Sequence, residues 1–422
     1  MRARTTLTVG SLILGCTAAV IVGGAPAGAT SSGPSPYLSG SAGGTEVVAL
    51  GGAVTSGLTG ASGIGCTNTV GASNSNQTAG VSVTGLLAVS AVSSSIKSSA
   101  IPGGVQLAAE AKVAGVSALG GLITADGIDT TSVAKRVNGV GSVVNATTFV
   151  HLKIAGVQLP VTIRKNLFVS IPDVATIGLN YSGAYAGPDG AVEGIGIGMY
   201  ITLLKAQGDS PAGTVIYLNP TLSAIGGSVL SPIGGFGYVT RVTSDAGGVV
   251  QVGSGPTAPL GIGCGGTGGK DTHNTTAGVN IPGVATTGVA ETTARGTANG
   301  RVAYARMSVQ VAGVNLFGGL ITAKALSGTA TAYRNIGQPV ATTTTTEHLV
   351  ALVIAGKRIP VNVSPNTVIN VAGLGNVVIN GQYRNATTAY LRVLDIKLST
   401  GRFGLPIGAE IQVGVAAAIV YN

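Results

Sequence analysis

Val105-Gln106-Leu107-Ala108-Ala109-Glu110-Ala111-Lys112-Val113 places an apolar side chain at every second position. Ala303-Tyr304-Ala305-Arg306-Met307-Ser308-Val309-Gln310-Val311 does the same, in the same phase, 198 residues later. A period of two belongs to a strand with one face buried. A slip of one residue would turn the buried face to water, so the shared phase points to a register fixed by packing.

Working outward, the two runs sit inside a longer repeat. Gly63-Ile64-Gly65-Cys66 returns as Gly261-Ile262-Gly263-Cys264, and Gly120-Gly121-Leu122-Ile123-Thr124-Ala125 returns as Gly318-Gly319-Leu320-Ile321-Thr322-Ala323. Asn76 to Val81 matches Asn274 to Val279, and Val113 to Val116 matches Val311 to Val314. Further on, Ile154, Pro160 and Asn166 match Ile354, Pro360 and Asn366 at an offset of 200, which implies two residues inserted between Ala323 and Ile354. Colinear matches at this spacing mean tandem domains, since solenoid repeats run at 20–50 residues.

The expected organisation is a signal at 1–29, a flexible leader at 30–44, a first β domain at 45–246 and its repeat at 247–422. Gly43-Gly44 and Gly247-Gly248, each ahead of a Val-Val pair, mark the two starts. Extra sequence after Asn180, including 183–198, makes the first unit longer. Strand-like runs separated by turn residues, with no helical period between them, predict an all-β fold. Two tandem antiparallel β-sandwich domains are expected, with a single β-barrel as the alternative.

Composition narrows the class. The 422 residues include 69 Gly and no Trp, with 9% charged and 4% aromatic side chains. Mean hydropathy is +0.49, too apolar for charge-driven disorder. Glycine lacks a three-residue period, which excludes collagen, and Gly, Val and Thr stand where a helical bundle needs Leu, Glu and Lys. Arg2 and Arg4, an apolar run from Leu7 to Val22 and Ala27-Gly28-Ala29 form the three parts of a cleavable export signal. Without it the chain keeps 21 basic against 14 acidic residues, a net +7. No later run reaches 18 apolar residues, so no spanning helix is expected. The basic pairs Lys135-Arg136, Arg164-Lys165 and Lys357-Arg358 lack aromatic interleaving, which speaks against nucleic acid.

Catalytic and metal-binding patterns are sparse, and no catalytic, cofactor or metal residue is assigned. His151, His273 and His348 align with Ala351, Ser75 and Thr148 in the other copy. Asp126 and Asp129 suggest a calcium loop, but Lys324 replaces Asp126 in the repeat. Gly265 to Asp271 lacks the Ser or Thr that follows a P-loop lysine. Gly194, Gly196 and Gly198 read as a glycine-bearing strand. Asn76 and Asn274 fall in N-x-T triplets and read as turn residues. Cys66 and Cys264 have no neighbouring cysteine for zinc. Export and an even count favour a bridge between them. Copies arranged head to tail would hold equivalent positions a domain length apart, so the expectation is two thiols unpaired within the chain. A bridge would demand that equivalent edges of the copies meet.

The export signal, the low-charge Gly/Ala/Val/Thr-rich body and the repeated Ala-Gly-Val…Gly-Gly-Leu-Ile-Thr-Ala block resemble secreted actinobacterial proteins of the choice-of-anchor P type. That resemblance implies an exported β-rich surface or extracellular protein with nothing catalytic. Its name refers to variable C-terminal anchors, and no anchor is read here in the C-terminal residues. The expected function is a non-enzymatic structural or adhesive protein, secreted or at the cell surface, whose partners are cell-wall or other surface components or further copies of itself. An envelope β-barrel or pore is the first alternative and a secreted hydrolase the second.

Overall fold

The computed structural model describes residues 34–421, apart from 50–53, 56–57, 84, 209, 247–248, 255, 282, 300 and 403–404. The signal at 1–29 and the proposed start at Gly247-Gly248 lie outside the described residues.

The described residues are nearly all β, in four antiparallel sheets. In the first unit one sheet runs, in spatial order, Leu167–Ile171, Ala175–Ala186, Val192–Leu203, Val215–Val229, Ser35–Ala42 and Ser62–Thr67. The facing sheet is built around Gly104–Ala118 and Ile123–Val137, flanked by Ala91–Ile101 and Val140–Val150. The second unit repeats both. Thr367–Val371, Gly375–Arg384, Thr388–Leu398, Glu410–Val420 and Ile233–Ala246 form one sheet, and Val302–Leu316 and Ile321–Asn335 centre the other. Each unit is a sandwich, and no sheet closes on itself, so the single-barrel alternative does not hold.

The alternating runs fall in the two central strands with the expected parity. Leu107, Ala109, Ala111 and Val113 are buried, as are Ala303, Ala305, Met307, Val309 and Val311. Glycine sets how closely the layers approach. A methyl on Gly194 would lie 2.6 Å from the Ser132 hydroxyl of the facing sheet, and one on Gly198 2.7 Å from that of Thr130. The Gly194–Gly198 stretch is therefore a strand whose missing side chains admit those of the opposite layer. The two-residue insertion lies in the hairpin after Ile321–Asn335: Val137 pairs directly with Val140, whereas Tyr333 pairs with Thr342. The extra length of the first unit lies in the hairpin between paired Ala184 and Gly194, against that between Arg384 and Ala389.

Three expectations are corrected. Residues 35–42 are not a flexible leader; they form an inner strand paired with Val215–Val229 on one side and Ser62–Thr67 on the other. Ile233–Ala246 belongs to the second unit, because it pairs with Glu410–Val420 and with Leu260–Ile262. The division of the chain thus falls near residue 230, not at 246. Thr45 and Thr240 mark the equivalence: each accepts from the Thr59 or Thr257 amide at its carbonyl and donates its own amide to that residue's hydroxyl.

The third correction concerns the cysteines. Cys66 and Cys264 are joined in a disulfide, with Cα atoms 5.2 Å apart. The expectation of separation assumed head-to-tail copies. Instead the equivalent edges, Ser62–Thr67 and the segment ending at Cys264, meet. Tyr421 packs on Gly65, where an added methyl would stand 3.1 Å from its hydroxyl, and Tyr37 packs on Gly226 and beside Gly265. Within the second unit Arg334 holds Tyr421 in place by donating to its carbonyl and to the Ser231 hydroxyl, both at 2.5 Å. Val229 and Tyr37, from the first unit, pack into a hydrophobic cluster of the second.

Candidate functional site

The inner faces of the two units are alike, and the outer ones differ. In the first unit one level of the outer sheet face reads across five strands as Glu46, Tyr217, Tyr200, Gly178 and Phe168, each the direct cross-strand partner of the next. Gly178 has no side chain, and the Tyr200 ring occupies that space; an added methyl would lie 2.2 Å from it. Tyr200 meets Phe168 edge-on at 6.1 Å and Tyr181 at 6.2 Å, and lies 6.3 Å from Tyr217. These separations are those of favourable aromatic pairs. Phe168 is 63% exposed and Tyr185 46%. Burial raises the hydroxyl pKa of both Tyr200 and Tyr217, and lifts the Glu46 carboxyl to about 6. In a chain so poor in aromatics, this face gathers five.

The same level in the second unit reads Arg241, Gln412, Asp395, Val378 and Val368. Here the centre is an ionic network. Arg392 donates to Asp395 and, at 3.1 Å, to Glu410; Gln412 donates to Glu410 at 2.6 Å and accepts from the Tyr238 hydroxyl. Phe236 stacks on Tyr238 at 6.4 Å, and the Arg392 guanidinium lies over Tyr390 at 5.7 Å. These rings shield the network, and Asp395 is buried. Burial raises its pKa to about 7; hydrogen bonding and repulsion from Glu410 add to the rise, and Arg392 opposes it.

The residues singled out in the sequence do not converge. Asp126 contacts His151 at 2.6 Å, while Asp129 faces Lys112 at 3.4 Å, so the two carboxylates have different partners. His273 contacts Glu291 at 2.7 Å, and Thr293 donates to the same carboxylate at 3.0 Å; His348 stands opposite Ser327, next to Glu347 on its own strand. Among the described residues no three of His, Cys, Asp and Glu gather closely enough for a metal. The amides of Thr267 and Gly269 both donate to the Gly296 carbonyl at 2.9 Å, so the 265–271 glycines close a turn rather than cradle an anion. Asn76 and Asn274 lie in strands, not turns. Their side-chain amides donate to the carbonyls of Ala61 and Pro259, tying equivalent edges in both copies.

Sequence reading missed both outer faces. A signal for the first was present, since tyrosines at 181, 185, 200 and 217 concentrate in one stretch. The network of Arg392, Asp395 and Glu410 had none, because its members come from two strands with ordinary spacing. Compared with known proteins, the chain matches no family model, no curated protein and no solved structure.

Proposed function

We propose that the chain is an exported, non-enzymatic structural or adhesive protein of the extracellular space or cell surface. The observation that carries this reading is the joint: equivalent edges of two sandwiches are fastened by a disulfide and by tyrosines packed on glycines. A disulfide of this kind suits an oxidising compartment. The joint holds two chemically distinct outer faces on one body, and the first exposes an aromatic row suited to contact with a surface.

The test is fractionation of the native culture into medium, wall and membrane, followed by rebinding of purified chain to washed envelope material. Recovery in the medium or wall fraction, with saturable rebinding that falls in Phe168→Ala/Tyr200→Ala, is expected. A chain that neither rebinds nor self-associates would overturn the reading.

A further inference from the structure

The two copies differ sharply in charge. Residues 34–230 hold eight basic and eight acidic side chains, whereas 231–422 hold thirteen basic and six acidic. The whole mature excess therefore belongs to the second copy. On the outer face of its Val302–Leu316 sheet, Arg295 stands directly opposite Arg306. Like charges so placed repel. Both are exposed, and among the described residues neither guanidinium forms an ion pair.

Two residues along the strand from Arg306, Tyr304 stands opposite Tyr333 of the neighbouring Ile321–Asn335 strand, which is 40% exposed. The next two strands outward bring Thr331 and then Thr344 into line with Arg306. The first copy has none of this: Lys97 faces Ala108, and Gln106 faces Lys135. Both the arginine pair and the tyrosine pair are thus particular to one copy.

We infer that this face binds an anionic polysaccharide, with Arg295 and Arg306 engaging its carboxylate or phosphate groups and Tyr304 and Tyr333 packing against its sugar rings. Guanidinium groups suit such oxyanions, which would also relieve the repulsion between the pair. The neighbouring threonine hydroxyls can hydrogen-bond sugar hydroxyls. A lipid surface is disfavoured, because the face around the arginines offers tyrosines and threonines rather than aliphatic side chains for insertion. The inference rests on the adhesive reading and names its partner.

The test uses the full secreted chain and immobilised polygalacturonate, with neutral dextran, anionic phosphatidylglycerol vesicles and duplex DNA as comparison arms. Binding to polygalacturonate that weakens with salt is expected, with none to dextran. Arg295→Ser/Arg306→Ser should lower affinity at least about tenfold, while Arg164→Ser/Lys165→Ser, an equal charge change on the first copy, should alter it less than about twofold. Equal losses in both variants, a preference for vesicles or DNA, or no binding by the wild-type chain would each overturn the inference. Retention of the chain on washed envelope in that event would leave the adhesive reading standing, so the two failures are distinguishable.

Discussion

Tyr200 and Asp395 occupy the same place in the two halves: each sits at the centre of an outer sheet face, paired across the strand with Tyr217 and Gln412 respectively. The neighbours beneath them stayed apolar, Ile201 matching Ile396 and Met199 matching Leu394, all buried. One position thus became the hub of an aromatic row and the other a buried carboxyl, while the layer below hardly changed. The faces that water reaches are free to diverge; the faces that meet inside the sandwich are not.

The buried carboxyl makes stability depend on pH. The folded chain holds a proton on Asp395 up to about pH 7, whereas the unfolded chain releases it near 4. The native state binds more protons in that window, so stability is greatest below it and declines as pH rises from about 4 to 7. Glu46 adds a smaller effect of the same sign. Thermal melts of wild type and Asp395→Asn across this range should show a wild-type melting temperature that falls by a few degrees more than the variant's.

Gly178→Ala should destabilise the first unit by about 1–3 kcal/mol, because the new methyl would collide with the Tyr200 ring. Combining it with Tyr200→Ala removes the collision. A double-mutant cycle should then give a penalty for Gly178→Ala well below that in the wild-type background. Equal penalties in both backgrounds would mean the glycine is required for another reason.

Cys66→Ser/Cys264→Ser should lower stability by about 2–4 kcal/mol, read as a shift of the denaturation midpoint. Non-reducing peptide mapping of the wild-type monomer should recover Cys66 and Cys264 in one linked pair. Free thiols at Cys66 and Cys264 in the monomer would contradict the edge-to-edge joint.

The place where the chain is cut should decide whether the second half folds. A fragment beginning at residue 231 keeps Ile233–Ala246 in its sheet. One beginning at 247 loses that strand and exposes the buried edge of Glu410–Val420. Circular dichroism should show cooperative β melting for the first fragment and its loss for the second.

Much of the fold was legible in the residues. The shared phase of Val105–Val113 and Ala303–Val311 fixed which side chains turn inward, because a two-residue period leaves only two choices and one buries charge. The colinear matches pointed to two units of one architecture. The sequence alone could not place residues 35–42, since Ser35–Ala42 is short and Gly/Ser-rich and becomes a strand only because partners wait on both sides. Nor could it pair Cys66 with Cys264: that depended on which edges of the copies meet, and the contact of Tyr421 with Gly65 spans nearly the whole chain. The outer faces were hidden for the same reason. Local patterning determines strand parity, whereas the neighbours of Tyr200, Asp395 and Arg295 are set by pairings between distant segments, which only the assembled sheets decide.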